Sequence, residues 1–367
     1  MTSERMVAAI WTGHKFELCE TRRHHENSTV VRVLGSGLCG TDRHLMEAPQ
    51  SEGRSLGHEI YAEIVHLGAN LNSIGGARLQ PGDRIIATPG VPCMKCHICT
   101  TYSGHEQLCE HRRSHGFSKF SSGGFFPAGG FSNYIELVDN LWVLKVDPDI
   151  TLPEIMFTDL LPIALKAMER GLGGGRPEFE LGPGVGLRVA VLGLGPIGAA
   201  AVFVARSLGA EVLGVDVSAW KVEQIQGIFA IPAVAIPGNP GEALEEVRGC
   251  SDAEFDLIVD CTGDPRGLEL AVKLAKKGGR IVEVGSFVPG SVSRINPSDI
   301  CRKELEIVGS LMAPALSYNK VVRLIRANRH YDLSRLTTHH VPLGRINDVL
   351  EIFATDRYIK IHIEPVL

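Results

Sequence analysis

Two hydrophobic rhythms divide the chain. From Met6 to about Val146, apolar residues come in short runs broken by glycine-rich turns: Met6 to Trp11, Thr29 to Leu34, Ile60 to Gly68, Asp83 to Thr88 and Ser132 to Val138. Runs of this length, bounded by turn residues, predict an antiparallel, barrel-like β domain. After Arg188 the rhythm changes to apolar strands alternating with helical periods, the strands being Val189 to Gly193, Glu211 to Asp216, Ala233 to Ile236, Asp256 to Cys261 and Arg280 to Gly285. That alternation predicts parallel strands joined by crossover helices, and so an α/β second domain. A helix ending near Arg170 is followed by Gly171 to Gly186, whose seven glycines and two prolines mark a connecting loop. Ser121 to Gly130 is a second loop by composition. The tail reads as a helix around Lys320 to Ala327, then short strands through Ile359 to Ile363 that return to the first domain. The expected division is 1–160 completed by 317–367, and 161–316.

The second domain carries its own chemical signature. Gly193-Leu194-Gly195-Pro196-Ile197-Gly198 follows a predicted strand and opens a predicted helix, and Asp216 ends the next strand. In this context the glycines allow a tight turn and close approach to a pyrophosphate, which meets the helix N-terminus. Ile197, Ala200, Ala201, Val204, Ala205 and Leu208 fall on one helix face, the stripe expected to pack on the sheet. Asp216 is placed to accept hydrogen bonds from ribose hydroxyls, and its charge repels a 2′-phosphate, which favours NAD over NADP. Lys221 is close enough in sequence to contact the same ribose or to be a solvated lysine.

Cysteine usage separates two kinds of metal site. Cys93, Cys96 and Cys99 stand at two-residue gaps with Cys109 shortly after, the spacing of a closed, structural thiolate zinc site. His97, His105, His111 and His115 lie near enough to replace one thiolate. Cys39 and His58, in Cys39-Gly40-Thr41-Asp42 and Gly57-His58-Glu59, offer two ligands of an open site or two core residues. The remaining cysteines, Cys19, Cys250, Cys261 and Cys301, sit in or beside apolar runs and read as small hydrophobes.

Composition narrows the partners and the compartment. With 42 acidic against 37 basic side chains and no long run of either sign, the net charge of −5 gives no footprint for nucleic acid. The one basic clump, Arg22-Arg23-His24-His25, is short and without interleaved aromatics. No secretory leader is evident at the start, and the uncharged stretch Val189 to Ala205 is short and broken by glycine and proline, so no membrane span is expected. Nine cysteines without a leader then point to metal ligands and free thiols in a reducing, cytoplasmic setting.

Taken in this order, Cys39-Gly-Thr-Asp, Gly57-His58-Glu59, the thiolate loop and the glycine fingerprint resemble the zinc-dependent medium-chain alcohol and polyol dehydrogenases over nearly the whole chain. The resemblance implies a GroES-like antiparallel β-barrel catalytic domain and a doubly wound Rossmann cofactor domain. It also implies that Cys39 and His58 bind catalytic zinc, that the Thr41 hydroxyl relays the substrate proton and that Asp42 orients the ligand histidine; His44 stands where some members carry the histidine that hands the proton to solvent, or is an exposed loop histidine. Asp159, in Thr158-Asp159-Leu160-Leu161-Pro162, is similar to the acidic third ligand of some members and is read as that ligand, the alternative being a helix N-cap. Glu59 is a further ligand or a carboxylate behind the ligands. The gap from Cys99 to Cys109 holds nine residues where the family usually has seven, a longer thiolate loop.

The implied activity is zinc-assisted hydride transfer between an alcohol carbon and NAD, with one catalytic and one structural zinc. Secondary alcohols, polyols, sugars and amino-alcohols are the implied substrates. The run Leu305 to Leu311 is placed to pair with a twin in a homodimer or homotetramer. Two rivals predict different behaviour: a zinc-free quinone or enone reductase of the same fold leaves Cys39 and His58 without a task, and a non-catalytic cofactor-binding protein binds NADH without turnover.

Overall fold

The computed structural model describes residues 6–20, 28–68, 71–102, 104–116, 129–173, 185–250, 254–285 and 292–367. The basic clump Arg22 to His25 lies outside them, as does most of the two glycine-rich loops expected at 121–130 and 171–186. The chain divides into two units, one of residues 1–159, 314–320 and 337–367, the other of residues 160–313 and 321–336.

In the first unit the main sheet runs Thr337–Pro342, Lys360–Glu364, Val30–Leu38, Glu59–His66, Arg84–Ala87, Trp142–Lys145, Asn72–Ser73, with Tyr134–Glu136 also pairing Val30–Leu38. Most joins are antiparallel, but Thr337–Pro342 runs parallel to Lys360–Glu364, and Trp142–Lys145 parallel to Asn72–Ser73. Val31, Val33, Ile60, Ala62, Ile64, Ile85 and Ala87 form one buried cluster on this sheet. Register shifts between Val30/Val31 and Val33/Gly35 interrupt its central pairing, and such bulges bend and twist a strand, as a curled GroES-like sheet requires.

The second unit holds a six-stranded sheet in the order Ala233–Ala235, Glu211–Asp216, Arg188–Leu192, Phe255–Asp260, Ala275–Glu283, Glu306–Gly309. Every join is parallel. The chain starts at the centre, runs outward and returns to the other side, so the strand order reverses between Arg188–Leu192 and Phe255–Asp260; this is the Rossmann arrangement, with its ligand crevice at the reversal. The helix Pro196–Ser207 is buried from Gly198 through Ala205, on more than the predicted stripe. The helix Leu160–Leu172 packs on it, and Phe203 meets Phe229 and Tyr331 edge-on or tilted at 6.4 and 6.0 Å. A helix covered on several sides is apolar all round.

Two expectations need correction. Residues 321–336 belong to the second unit and do not complete the first, because Tyr331 packs against Phe203 and Phe229, and Arg335 Nη1 donates to the Gly227 carbonyl at 2.7 Å. Cys250 and Cys301 are exposed and not packed, since one ends a helix and the other lies on the helix Pro297–Lys303, in which no residue is buried. Among the described residues, no helix is long and apolar enough to cross a membrane.

Candidate functional site

In the first unit, a buried carboxylate draws two distant segments together. Cys39 precedes the helix Gly40–Glu47, and Asp42 in its first turn is fully buried. Asp42 Oδ2 accepts from the Cys39 backbone N–H at 2.9 Å, while Oδ1 accepts from the Gly57 N–H at 3.1 Å and lies 3.3 Å from His58 Nδ1. Gly57 sits at φ +91 with Phe131 where a Cβ would stand, so only glycine lets the chain turn His58 toward Cys39. With Nδ1 on Asp42, Nε2 is the ring nitrogen that would serve a cation. Burial works against a charged His58 imidazole, but the Asp42 carboxylate more than offsets it and holds the ring above its ordinary range.

The donor atoms of Cys39, His58 and Glu59 all lie within 4.8 Å of one another. Glu59 is buried, ion-paired with the fully buried Lys360, and its Oε1 has no hydrogen-bond partner among the described residues. Asp159 stands alongside without joining the three: its Oδ1 accepts from the buried Tyr318 hydroxyl at 2.6 Å. Burial first, and then the neighbouring Glu59 charge, pushes its carboxyl up to about 6. Thr41 Oγ1 lies 3.9 Å from Cys39 Sγ, and His44 is exposed on the same short helix. Cys39, Asp42, Glu59 and Asp159 thus bring four acidic groups to one region, where Lys360 is ion-paired with Glu59, and a divalent ion suits such a surplus. Sequence reasoning missed Lys360 and Tyr318. The signal for the first was a lysine inside the apolar run Ile359 to Ile363.

The thiolate lobe is separate and has little core of its own. The Sγ atoms of Cys93, Cys96, Cys99 and Cys109 lie within 4.8 Å of one another, with Cys96 and Cys109 at 3.9 Å. A tetrahedral ion with Zn–S bonds of about 2.3 Å holds its sulfurs about 3.8 Å apart, so the set fits zinc. Backbone N–H groups point at the sulfurs: Cys93 N–H to Cys109 Sγ at 3.2 Å and Cys96 N–H to Cys93 Sγ at 3.3 Å. The Cys99 N–H foremost draws the Cys96 thiol down to about 6, and burial pushes Cys99 up to about 12. The longer loop is spent on Tyr102, which stacks edge-on between His97 and His105. Those two histidines, His111 and His115 are not in the converging set.

In the second unit, a cavity of about 380 Å³ is lined by Gly193, Gly195, Pro196, Asp216, Lys221 and, from the next strand end, Thr262. Gly193 takes φ +82, and a Cβ on Gly198 would strike the Gly193 carbonyl, so the helix closes tightly on the turn. Ile197 and Gly198 do not line the cavity. Asp216 Oδ2 accepts from Leu194 N–H at 2.6 Å and Oδ1 from Ser218 N–H at 2.7 Å, which fixes the carboxylate at the cavity wall. Asp264 and Arg266, also in the lining, were not singled out from sequence; their signal was the Cys261-Thr-Gly-Asp-Pro turn after a strand.

Behind this cavity, Asp260 and Glu283 are register partners at adjacent strand ends. Burial, then the Glu283 charge, pushes the Asp260 carboxyl up to about 7 from an ordinary 3.8. The folded chain therefore keeps a proton that the unfolded chain releases between those values, so this group's contribution to stability falls as pH rises through that window. Asp260→Asn is expected to be more stable than the native protein at pH 8, and this advantage to be smaller at pH 5 by on the order of 2 kcal/mol. Thermal melts at the two pH values check it; an advantage that does not change with pH refutes the assignment.

One unit carries a cysteine–histidine–glutamate cluster and the other a dinucleotide-type crevice, the equipment of a metal-dependent oxidoreductase. The description "Alcohol dehydrogenase GroES-like domain" matches residues 25–148, and "Zinc-binding dehydrogenase" matches residues 196–327. L-galactonate-5-dehydrogenase of Escherichia coli (strain K12) is 30% identical over 332 residues, 89% of this chain and 88% of its own. An L-threonine 3-dehydrogenase of Symbiobacterium thermophilum is 26% identical over 347 residues, 92% of this chain and 90% of its own. The crystal structure of an alcohol dehydrogenase from Thermotoga maritima superposes with TM-score 0.85 at 24% identity, covering 99% of this chain and 100% of the other, a likeness of fold. The chain belongs to the zinc-dependent medium-chain dehydrogenase family, whose reaction class is oxidation at CH–OH carbons.

Proposed function

We propose that the protein is an NAD-linked dehydrogenase of secondary alcohols, polyols, sugars or amino-alcohols. The convergence of Cys39, His58 and Glu59 carries this reading, because a zinc-free reductase or a binding protein has no use for it. Relatives named for galactonate and threonine support the substrate class. When bound, zinc supplies Lewis acidity to the substrate oxygen and the nicotinamide supplies the two-electron acceptor.

The chain's own residues do the rest. Cys39 and His58 hold the catalytic metal, with Glu59 or Asp159 as the carboxylate that completes the set. Asp42 fixes the His58 tautomer, Thr41 takes the substrate proton, and His44 passes it to water. Cys93, Cys96, Cys99 and Cys109 hold a second, structural zinc. Gly193, Gly195 and Pro196 receive the pyrophosphate at the helix N-terminus, and Asp216 with Lys221 receives the ribose. The strand Glu306–Gly309 ends its sheet with Ile307 exposed, which supports pairing with a twin in a homodimer or homotetramer.

A panel of diols, sugars, cyclitols and hydroxy amino acids offered with NAD tests the reading, native protein beside Asp216→Asn. Native protein is expected to reduce NAD with at least one of them. The variant, which keeps the size of Asp216 without its charge, is expected to lower the ratio of kcat/KM for NAD over NADP about tenfold, or about 1.4 kcal/mol. NADH binding without turnover across the panel would leave the non-catalytic alternative, and an unchanged ratio would remove Asp216 from cofactor choice.

A further inference from the structure

The edge of the first unit's sheet carries a cluster that the reaction does not use. Thr337–Pro342 is the outermost strand and pairs in parallel with Lys360–Glu364, His340 standing directly opposite His362. Glu364 lies two residues beyond His362 and so on the same face. The donor atoms of His340, His362 and Glu364 lie within 4.8 Å of one another. His340 Nδ1 is 3.4 Å from His362 Nδ1 and 3.2 Å from Glu364 Oε1.

Hydrogen bonding alone satisfies this arrangement poorly. His340 Nδ1 carries at most one proton, yet it faces both a second ring nitrogen and a carboxylate oxygen. If it donates, the two acceptors compete for one proton. If it accepts from His362, its lone pair is set against the carboxylate. His362 is 1% exposed, and its Nε2, lodged over Gly35, has no hydrogen-bond partner among the described residues. Burying an imidazole in this way costs free energy that a bond at Nδ1 offsets.

A cation meets all three donors at once. With bonds of about 2.0–2.1 Å, a tetrahedral zinc ion holds neighbouring nitrogen and oxygen donors about 3.3 Å apart. The observed 3.4 and 3.2 Å match that edge, just as the 3.9 Å between Cys96 and Cys109 matches the sulfur edge. His340 and Glu364 are solvent-accessible, so an ion has an entry path and water can fill the fourth corner.

We propose that His340, His362 and Glu364 form a further transition-metal site, of the zinc type, that clamps the edge strand Thr337–Pro342 to Lys360–Glu364. Two imidazoles and one carboxylate suit Zn²⁺ and its borderline neighbours over Mg²⁺ or Ca²⁺. The site stands apart from the proposed chemistry and does not depend on it.

The test is metal content after equilibrium dialysis of the whole protein against buffered micromolar Zn²⁺, for native protein, His340→Ala and Glu364→Gln. Both substitutions lie at accessible positions, and circular dichroism checks their folding. Native protein is expected to hold one zinc per chain more than His340→Ala, whatever the occupancy of the thiolate and Cys39 sites. Glu364→Gln is expected to bind that ion at least tenfold more weakly. Added Zn²⁺ is expected to raise the melting temperature of the native protein above that of His340→Ala, since an ion bound only by the folded state stabilises it. Equal zinc content in native and His340→Ala protein would overturn the site and leave a hydrogen-bonded histidine pair.

Discussion

Cys39→Ala is expected to lower kcat/KM about 1000-fold, which is about 4 kcal/mol of barrier, and to remove one zinc per chain while leaving the fold intact. Cys39 is half-buried at the start of a short helix, and the segment around it is held by Asp42 through the backbone, not through the thiol. The side chain can therefore be cut back to a methyl group with little effect on packing. The proposed metal set would lose its sulfur ligand and the charge that a metal-bound thiolate supplies. Steady-state kinetics with a substrate from the panel, together with zinc counted on the same samples, reads both effects. Full activity in Cys39→Ala protein would end the assignment of this cluster to the reaction.

The same measurement separates the two carboxylates. Glu59 converges with Cys39 and His58, yet it is already matched by Lys360; Asp159 is held by Tyr318 and stands outside the converging set. If Glu59 completes the set, Glu59→Gln loses zinc and Asp159→Asn keeps it. The reverse outcome assigns the third corner to Asp159, with Tyr318 as the residue that positions it.

The second large effect is on stability. Cys96→Ser, or prolonged exposure to a strong chelator, is expected to unfold the thiolate lobe and to lower the melting temperature by about 10 °C, the equivalent of about 3–4 kcal/mol. The reason lies in how little else holds the lobe. Its helix His97–Thr101 buries no residue, and Met94, Tyr102 and Leu108 are all exposed. Glu106 Oε1 accepts from the Ala315 N–H at 2.7 Å and Arg113 donates to the Asp139 carbonyl at 3.0 Å, tethers that fix its base and not its interior. A segment without an apolar core needs a metal or a cross-link to stay folded. Melting with zinc counted before and after chelation is the check. A Cys96→Ser protein with the native melting temperature would make the four thiols a coincidence of spacing.

How much of this was legible depended on the range of each interaction. The thiolate spacing and the glycine turn with Asp216 were readable because their parts lie close together in the chain and each residue type has a narrow chemical use. The pairing of Cys39 with His58 was readable only as a suspicion, since nothing in either segment states that Asp42 will bond the backbone of both. Lys360 and Tyr318 were not found, because their partners Glu59 and Asp159 are 301 and 159 positions away; a lysine within the apolar run Ile359 to Ile363 is unusual but does not name its partner, and Tyr318 looks ordinary beside its own neighbours. The tail was divided wrongly at 321–336 for the same reason: Tyr331 is an unremarked aromatic until Phe203 and Phe229 are beside it.

The sequence by itself therefore determined the class of each unit, through short apolar runs bounded by turns in one and apolar strands alternating with helical periods in the other. It also marked the candidate metal and phosphate positions, through spacing within single loops. Only the tertiary structure decided which acids share one buried space, which cation answers them, and that two histidines and a glutamate meet at a sheet edge. Electrostatic and coordination energies depend on distance in space, and sheet pairing brings into contact residues whose separation along the chain carries no information about that distance.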